Sequence, residues 1–254
     1  MEGLKDKVIV FAGAGEIADG VAKFLGAGGA KIVVGDIIKA NAERCVASIK
    51  EAGGDGIATK TDISSQEDVK ALIDLAISEY GKINGLFNVA ANINPAEVMK
   101  DTNPVDIDLA DWQRNIDINL TGFMLTSKYA IPHILEAGGG SIVNTVSDAL
   151  YAGMPDKVTY AVTKAGIGAM TRNVASRFGK QGIRCNAVSP GLVMTESGLQ
   201  NSEQIVGMVL QMIPAPRVGK PEDMGSIVAF LLSDLSEWIT GQSICVDGGA
   251  VMRT

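Results

Sequence analysis

"VFAGAGEIADG", residues 10–20, follows a short apolar run and leads into a stretch with helical periodicity. Glycines stand at Gly13 and Gly15, and Ala18 fills the third small position, which gives the spacing Gly-x-Gly-x-x-Ala. Between a strand and a helix, this spacing is typical of a dinucleotide-binding turn, in which the helix N-terminus faces the phosphates. A purely structural turn is the alternative interpretation of the same residues.

Short β-branched runs alternate with longer helical patterns along the whole chain. We predict strands over residues 8–11, 32–34, 56–59, 85–89, 141–145, 183–188 and 243–246. We predict helices over residues 17–25, 41–52, 65–80, 112–136, 159–179 and 221–232. This alternation predicts an α/β fold, in which residues 1–254 form a single-domain, doubly wound parallel sheet of the Rossmann type with helices on both faces. Residues 92–111 are predicted to be a long loop.

Composition narrows the function classes. The 254 residues carry a net charge of −7, which argues against nucleic acid or an anionic membrane as a main partner. The chain starts "MEGLKDK" without a charged-then-apolar leader, and no apolar run approaches the roughly 20 residues that span a bilayer. We therefore expect a soluble, cytoplasmic protein. One histidine and three scattered cysteines can hardly supply a zinc site, so no metal is expected and the thiols are predicted to be free.

An acid at the end of the second predicted strand bears on the choice of cofactor. Asp36 closes "KIVVGD", about 20 residues past the glycine turn, where a carboxylate can accept hydrogen bonds from the adenosine ribose. It would repel a 2′-phosphate, and Glu16 in the turn would add to that repulsion. The sequence therefore predicts NAD rather than NADP, whereas a strand-end cap is the alternative role of Asp36.

Tyr160 and Lys164 form a Tyr-x-x-x-Lys pair, which lies on one face if the segment is helical. A nearby ammonium favours the phenolate, so it would bring the tyrosine pKa towards a range useful for acid–base chemistry. Surface decoration is the alternative for such a pair. Ser147 stands thirteen residues before the tyrosine, directly after the predicted strand "SIVNTV".

The set of Ser147, Tyr160 and Lys164, with Asn119 in "NIDINLTG", resembles the short-chain dehydrogenase/reductase family. The resemblance covers nearly the whole chain. Further matching segments are "NVAA" (88–91), Asp62-Ile63, "IRCNAVSPGLVMT" (183–195) and "TGQSICVDGG" (240–249).

The resemblance implies hydride transfer between a nicotinamide and the carbinol carbon of a substrate. Tyr160 would exchange the hydroxyl proton, Ser147 would bind the same oxygen, and Lys164 would bind the ribose and lower the tyrosine pKa. Asn119 would hold a helix irregularity and a water that links Lys164 to solvent. Thr195 and the backbone of Val193 would fix the carboxamide. The implied cofactor-binding residues are Gly13, Gly15, Glu16, Ile17, Asp36, Asp62, Ile63, Asn88, Ala90, Tyr160, Lys164, Pro190, Val193 and Thr195. A homotetramer is also implied.

The chain departs from the family pattern at the glycine turn. Ala12 replaces a threonine, Ala18 replaces the last glycine, and the turn between Gly13 and Ile17 is one residue short. These departures favour an alternative, a non-catalytic NAD-binding sensor or scaffold of the same fold, whereas retention of the Ser–Tyr–Lys set favours the enzyme. An enoyl reductase, the rival within the enzyme class, usually spaces its tyrosine and lysine more widely.

Residues 192–216 carry a Met- and Ile-rich stripe at helical spacing, which we predict to be a mobile apolar lid rather than core. Such a lid suits an apolar or alicyclic secondary alcohol or ketone. The predicted pocket lining also includes Asp148, Tyr151, Met154 and residues near 92–94. The acids Asp101, Asp106, Asp108 and Asp111 are predicted to form a solvated face with a helix cap before Trp112.

Overall fold

The computed structural model describes residues 1–92, 94–148, 151, 153–195 and 203–252. Within them, one parallel sheet has the strand order β3-β2-β1-β4-β5-β6-β7. Its strands are β1 (Val8–Ala12), β2 (Lys31–Asp36), β3 (Asp55–Lys60), β4 (Gly85–Asn88), β5 (Gly140–Thr145), β6 (Ile183–Pro190) and β7 (Ser243–Val246). All described strand pairs are parallel. The predicted single-domain, doubly wound α/β fold is confirmed.

Helices cover both faces of this sheet. They are α1 (Glu16–Ala27), α2 (Lys39–Glu51), α3 (Gln66–Tyr80), α4 (Pro95–Val98), α5 (Leu109–Ile116), α6 (Gly122–Glu136), α7 (Val158–Phe178), α8 (Glu203–Met212) and α9 (Pro221–Leu232). The predicted helix over 112–136 is observed as α5 and α6, joined through a π-helical turn at Asp117–Thr121. None of the helices in the described part of the chain combines the length and apolarity needed to cross a bilayer.

The segment 92–111, predicted as a loop, is partly helical. The side chain of Asn94 accepts a hydrogen bond from the Ala96 amide at 3.0 Å and starts α4. Asp108 accepts from the Ala110 amide at 2.8 Å and starts α5, which confirms the helix cap expected before Trp112. Side-chain capping of this kind satisfies amide groups that have no partner inside the helix, so short helices form here.

The central strands are buried on both faces, which explains their continuous apolar sequence. All five residues of β1 are buried, and Phe11 packs edge-on against Phe87 of β4 with ring centroids 5.2 Å apart. The direction in which successive strands are added to the sheet reverses at β1, because β2 and β3 lie on one side of it and β4 to β7 on the other. Such a switch point opens a crevice at the carboxyl ends of the strands, where ligands bind in doubly wound folds.

Helix α1, which follows β1, packs closely on α9 from the far end of the chain. A Cβ on Gly20 would lie 2.3 Å from the Pro221 carbonyl oxygen, and one on Gly225 would lie 2.5 Å from the Phe24 ring. Real Cβ atoms do not approach so closely, so these glycines allow the two backbones to touch. The first and the last long helices therefore support each other.

Candidate active site

The glycine turn after β1 requires its first glycine for steric reasons. Gly13 has φ +108°, and its amide donates to the Gly35 carbonyl at 2.8 Å. A Cβ at this position would lie 2.5 Å from the amide nitrogen of Ala90. Only glycine accepts this conformation and this contact at little cost. Gly13 and Ala90, both predicted to bind the cofactor, are thus brought together between β1 and β4.

The second glycine of the turn has a different reason to be there. Gly15 is the N-cap of α1 with φ −72°, a conformation open to any residue, and a Cβ on it would meet nothing within 4 Å. The first-turn amides of a helix have no acceptor within the helix, and here they belong to Glu16, Ile17 and Ala18. The bare face of Gly15 therefore leaves room in front of them, as a pyrophosphate would need.

Asp36, at the end of β2, reaches this turn directly. Its carboxylate accepts hydrogen bonds from the amides of Ala14 and Ile38, both at 2.8 Å. The strand-end role considered for this residue is therefore real. A carboxylate offers about four acceptor positions, so two remain for ribose hydroxyls. Both interpretations of Asp36 are compatible with one geometry.

Asp62 and Ile63 follow β3 at the same edge of the sheet. The Asp62 carboxylate accepts from the amide and hydroxyl of Ser64, at 2.9 and 2.6 Å, and so forms a local turn. The Ile63 side chain is buried, and a Cβ on Gly122 would lie 2.6 Å from it. The contact of Asp62 with an adenine and the cofactor contact of Ile63 stay predictions.

Asn88, the last residue of β4, belongs to a buried polar chain that crosses the sheet. Its amide nitrogen donates to Asn144 Oδ1 at 2.8 Å, and its Oδ1 accepts from Thr126 Oγ1 at 2.7 Å. Asn144 in turn donates to Thr171 Oγ1 at 2.9 Å. The Asn88 side chain thus ties β4 to β5 and α6, which leaves its predicted cofactor contact to the backbone.

The segment after β6 is held by a bridge to Gly219. Gly219 donates to the Leu192 carbonyl, and the Met194 amide donates to the Gly219 carbonyl, both at 2.9 Å. In a parallel bridge of this pattern, the N–H and C=O of the intervening Val193 point to the opposite side. They suit the predicted carboxamide contact. Thr195 is the last described residue before residues 196–202, which lie outside the described part.

Helix α7 places Tyr160 and Lys164 on one face, as the i, i+4 spacing predicts. The Lys164 side chain is wholly buried, and its Nζ lies 5.5 Å from the centre of the Tyr160 ring. Burial lowers the pKa of Lys164 to about 8. Nζ donates one hydrogen bond within the described residues, to the Thr145 carbonyl at 2.8 Å. An ammonium carries three donors, so this buried group has capacity for a ligand such as ribose hydroxyls.

Tyr160 shares a hydrogen bond with Ser147, which confirms that the two residues meet. Burial raises the pKa of Tyr160, the bond from Ser147 lowers it, and the nearby Asp148 raises it. In the protein alone the net direction is upward, so the expected depression by Lys164 is not observed. The reason is desolvation, because burial penalises the phenolate more strongly than its neighbours favour it.

Asp101 is the site residue that sequence reasoning missed. It was predicted to lie on a solvated face, but it is buried, and its carboxylate accepts from the amides of Thr159 and Tyr160 at 2.9 and 2.8 Å. Its own carbonyl accepts from the Lys157 amide at 2.9 Å. Asp101 therefore caps the first turn of α7 and fixes the backbone of Tyr160. A preference for acids at helix N-termini was the available signal, but the helix lies far along the chain.

Asn119 lies buried in the π-helical turn, which confirms the predicted helix irregularity. Its Oδ1 accepts from the Asn92 amide at 2.9 Å, and the Asn92 side chain donates to Asn115 Oδ1 at 3.1 Å. Such single π-turns are frequent at functional sites. The turn joins the segment after β4 to the helix that faces α7, whereas the expected water stays a prediction.

A cavity of about 610 Å³ opens at the carboxyl ends of the central strands, next to Tyr160. Its described lining is Asn92, Val98, Asp101, Asn115, Asn119, Ser147, Asp148, Met154, Lys157, Tyr160, Pro190, Gly191, Leu192, Val209, Met212, Ile213, Asp247 and Ala250. Part of the predicted lid, α8 and Ile213, thus borders the cavity, while its residues 196–202 lie outside the described part. Tyr151, expected in the lining, is absent from it and donates to Ser243 Oγ at 3.0 Å.

Asp148, Cys245 and Asp247 gather beside this cavity. One ligand-type atom from each lies within 4.8 Å of the others, which places a thiol among carboxylates rather than among apolar side chains. Cys45 and Cys185 are buried, as expected of free structural thiols. The absence of a metal from the protein's chemistry stays a prediction.

The fold and the site geometry are of the Rossmann type, and known proteins of similar sequence identify the family. The family model described as enoyl-(acyl carrier protein) reductase matches residues 12–251. A 7alpha-hydroxysteroid dehydrogenase of Bacteroides fragilis is 33% identical over 255 residues, covering 100% of this chain and 97% of that protein. A cyclohexanol dehydrogenase of Acinetobacter sp. strain SE19 is 34% identical over 247 residues, covering 96% of this chain and 94% of that protein.

Among solved structures, a short-chain type dehydrogenase/reductase from Mycobacterium ulcerans has a TM-score of 0.89 at 27% identity. The match covers 97% of this chain and 90% of that one. The chain belongs to the short-chain dehydrogenase/reductase family, which confirms the resemblance noted in its sequence. Dehydrogenases of this family use nicotinamide cofactors.

Proposed function

We propose that the protein transfers hydride between NAD and an apolar or alicyclic secondary alcohol or ketone, with Tyr160 as the acid–base group. The observation that carries the proposal is the hydrogen-bonded pair of Ser147 and Tyr160 at the cavity, beside the buried Lys164. A phenol, a hydroxyl and an ammonium meet here where a substrate oxygen can enter. This set suits proton transfer to or from a carbinol or carbonyl oxygen.

Each side chain has a distinct task in the proposed reaction. In oxidation, the ionised Tyr160 takes the proton of the substrate hydroxyl; in reduction, it donates a proton to the carbonyl oxygen. Ser147 donates a hydrogen bond to the same oxygen and stabilises its developing charge. The Lys164 ammonium favours the phenolate by its charge, which acts against the burial that raises the pKa of Tyr160 in the protein alone.

The residues around the glycine turn fit a dinucleotide. The open face of Gly15 and the first-turn amides of α1 would receive the pyrophosphate, and the spare acceptors of Asp36 would bind the adenosine ribose. The spare donors of Lys164 would bind the nicotinamide ribose. When bound, NAD supplies the hydride acceptor. Asp36 and Glu16 support NAD over NADP, since both would repel a 2′-phosphate.

The cavity wall supports an apolar substrate. Eight of its described lining residues carry apolar side chains, namely Val98, Met154, Pro190, Leu192, Val209, Met212, Ile213 and Ala250. The similar proteins include dehydrogenases named for cyclohexanol and for a hydroxysteroid, both alicyclic alcohols. We extend this substrate class to the present chain, with residues 192–216 as its lid.

The proposal includes a homotetramer that acts in the cytoplasm. Large apolar side chains at Val105, Leu109 and Trp238 are exposed, and Trp238 is 100% exposed. Single exposed apolar residues are common, but a fully exposed tryptophan is typical of surfaces that become covered. Light scattering on the purified protein measures the assembly directly.

A panel of secondary alcohols with NAD and NADP, followed by the absorbance of the reduced cofactor, tests the proposed reaction. We expect turnover with cyclic apolar alcohols and NAD, and none with primary alcohols of the same size. NADH binding without turnover on any member of the panel, in either direction, would favour the non-catalytic sensor or scaffold. Absence of binding to either cofactor would overturn the proposal.

A further inference from the structure

The backbone of Ala14, between the two glycines of the turn, forms hydrogen bonds to side chains through both its N–H and its C=O group. Its N–H donates to Asp36 Oδ2 at 2.8 Å, and its carbonyl accepts from Arg44 Nη2 at 3.1 Å. Arg44 comes from α2, 30 residues further along the chain. The turn is therefore held by β2 and α2 as well as by its own backbone.

Arg44 is itself held in place by a network of hydrogen bonds. Its Nε donates to Asp19 Oδ2 at 2.8 Å, and its Nη1 donates to Asn41 Oδ1 at 2.9 Å. The Asp19 side chain is only 16% exposed, so this ion pair is partly shielded from solvent. Three groups on one guanidinium, from α1, α2 and the turn, fix its planar fork.

Arg44 also lies close to two acids at the start of α1, Glu16 and Asp19, and its positive charge offsets theirs. Burial alone would lower the pKa of Arg44, but the neighbouring Asp19 and Glu16 raise it. Both acids belong to the first turns of α1, where a pyrophosphate would bind. Without a cation here, an anionic ligand would meet two carboxylates at the helix N-terminus, which opposes binding.

We propose that Arg44 is a positioning residue for the cofactor: it holds the shortened turn in its binding conformation and offsets the charges of Glu16 and Asp19. The proposal rests on the proposed NAD-dependent function. A residue between two glycines has wide conformational freedom, which costs conformational entropy when a ligand orders it. The hydrogen bonds to Asp36 and Arg44 order the turn before the ligand arrives, and so strengthen binding. Arg44 contacts the turn rather than the reacting atoms, so it affects binding and not the chemical step.

Titration of NADH by its fluorescence, on the intact protein, tests this role. We expect Arg44→Ala to raise the NADH Kd and the NAD KM together by about tenfold, with kcat within about twofold of wild type. Arg44→Lys keeps the charge but loses the fork, so it should recover part of the affinity. The matched control is Lys39→Ala. Lys39 is a cation on the same helix, but it pairs with Glu43 and not with the turn.

Hydrogen exchange on the ligand-free protein provides an independent readout. We expect faster exchange of the amides at residues 14–16 in Arg44→Ala than in Lys39→Ala, with the middle of α1 unchanged. If Arg44→Ala fails to fold, Asp19→Asn, which releases Arg44 but retains its charge, should raise the Kd less strongly and loosen the same amides.

The two proposals fail in different ways. Wild type that binds no NADH would overturn the proposed function, while exchange in the turn would still report on the clamp. Wild type that binds NADH, with Arg44→Ala within about twofold of Lys39→Ala in both Kd and exchange, would overturn only the role of Arg44.

Discussion

The amide of Tyr160 donates a 2.8 Å hydrogen bond to the carboxylate of Asp101, although 59 residues separate them. Asp101 also binds the amide of Thr159, so one buried carboxylate holds the first turn of α7. The segment between β4 and α5 is thereby tied to the helix that carries Tyr160, the proposed acid–base residue. Placement of the phenol therefore depends on a side chain that does not touch its hydroxyl.

Asp101→Ala should affect both stability and kcat. Two buried amides would lose their acceptor, so we expect a loss of about 2–4 kcal/mol in unfolding free energy and about tenfold in kcat, with the NAD KM nearly unchanged. Asp108→Ala is the matched control, since it removes an exposed cap from α5. Equal kcat values for the two variants would contradict the positioning role of Asp101.

Tyr160→Phe should abolish or nearly abolish turnover and spare cofactor binding. Loss of a general acid–base group reduces kcat by about 10²–10⁴-fold, whereas the ring still fills its place. Steady-state kinetics and NADH titration measure the two effects separately. Tyr80→Phe, which removes a hydroxyl bonded to Asp55 at the amino end of β3, should leave kcat unchanged. Unchanged turnover in Tyr160→Phe would refute the mechanism.

Lys164→Met should stabilise the ligand-free protein near neutral pH. A pKa of about 8 against the ordinary 10.5 corresponds to about 3 kcal/mol of burial cost, and loss of the Thr145 bond returns about 1 kcal/mol of it. The cost is fully present below pH 8, falls as the native lysine loses its proton first, and is gone above pH 10.5.

Urea unfolding of Lys164→Met and wild type checks this dependence. We expect the variant to be more stable by about 2 kcal/mol at pH 7, with the difference shrinking towards pH 10. A difference that stays constant over this range would mean that Lys164 does not titrate there. The same variant should lose activity, because function here requires a group that costs stability.

The two glycines of the turn should respond differently to alanine. Gly15→Ala places a methyl group in open space, so unfolding free energy should change by less than about 1 kcal/mol, while the NADH Kd rises at least tenfold. Gly13→Ala meets Ala90 and requires φ +108°, so it should destabilise the protein by about 2 kcal/mol or more. Normal NADH affinity in Gly15→Ala would place the pyrophosphate elsewhere.

Asp36→Asn should shift the cofactor preference towards NADP. Removal of the charge relieves repulsion of a 2′-phosphate, so we expect the NADP-to-NAD ratio of kcat/KM to rise about tenfold or more. The absolute value with NAD should fall, since the amide can replace only one of the two oxygens that bind Ala14 and Ile38. Asp55→Asn, which changes an acid at the amino end of the neighbouring strand β3, is the control. Equal use of both cofactors by wild type would contradict the roles of Asp36 and Glu16.

The predictable parts of this protein are those that local sequence encodes. The turn after β1 and the i, i+4 pair on α7 each depend on neighbours within a few residues, so spacing alone predicts them. Asp101 bonds to a partner 58 residues away, and Arg44 to one 30 residues away. The sequence around Asp101 predicts an exposed loop and that around Arg44 an exposed helix, so neither contact could be predicted from its neighbours. The sequence does not predict the raised pKa of Tyr160 for a related reason. Residue spacing reveals a neighbouring charge, but it does not reveal how deeply the phenol is buried.

The contact between α1 and α9 has a consequence for how the chain matures during synthesis. Helix α1, which begins at the glycine turn, is made early, but the helix α9 that packs on it ends at Leu232. Gly20 and Gly225 place the two backbones against each other, so this packing requires both helices. Helix α1 therefore lacks its α9 packing partner until the chain has been translated as far as Leu232, so this part of the domain reaches its final packing late in synthesis.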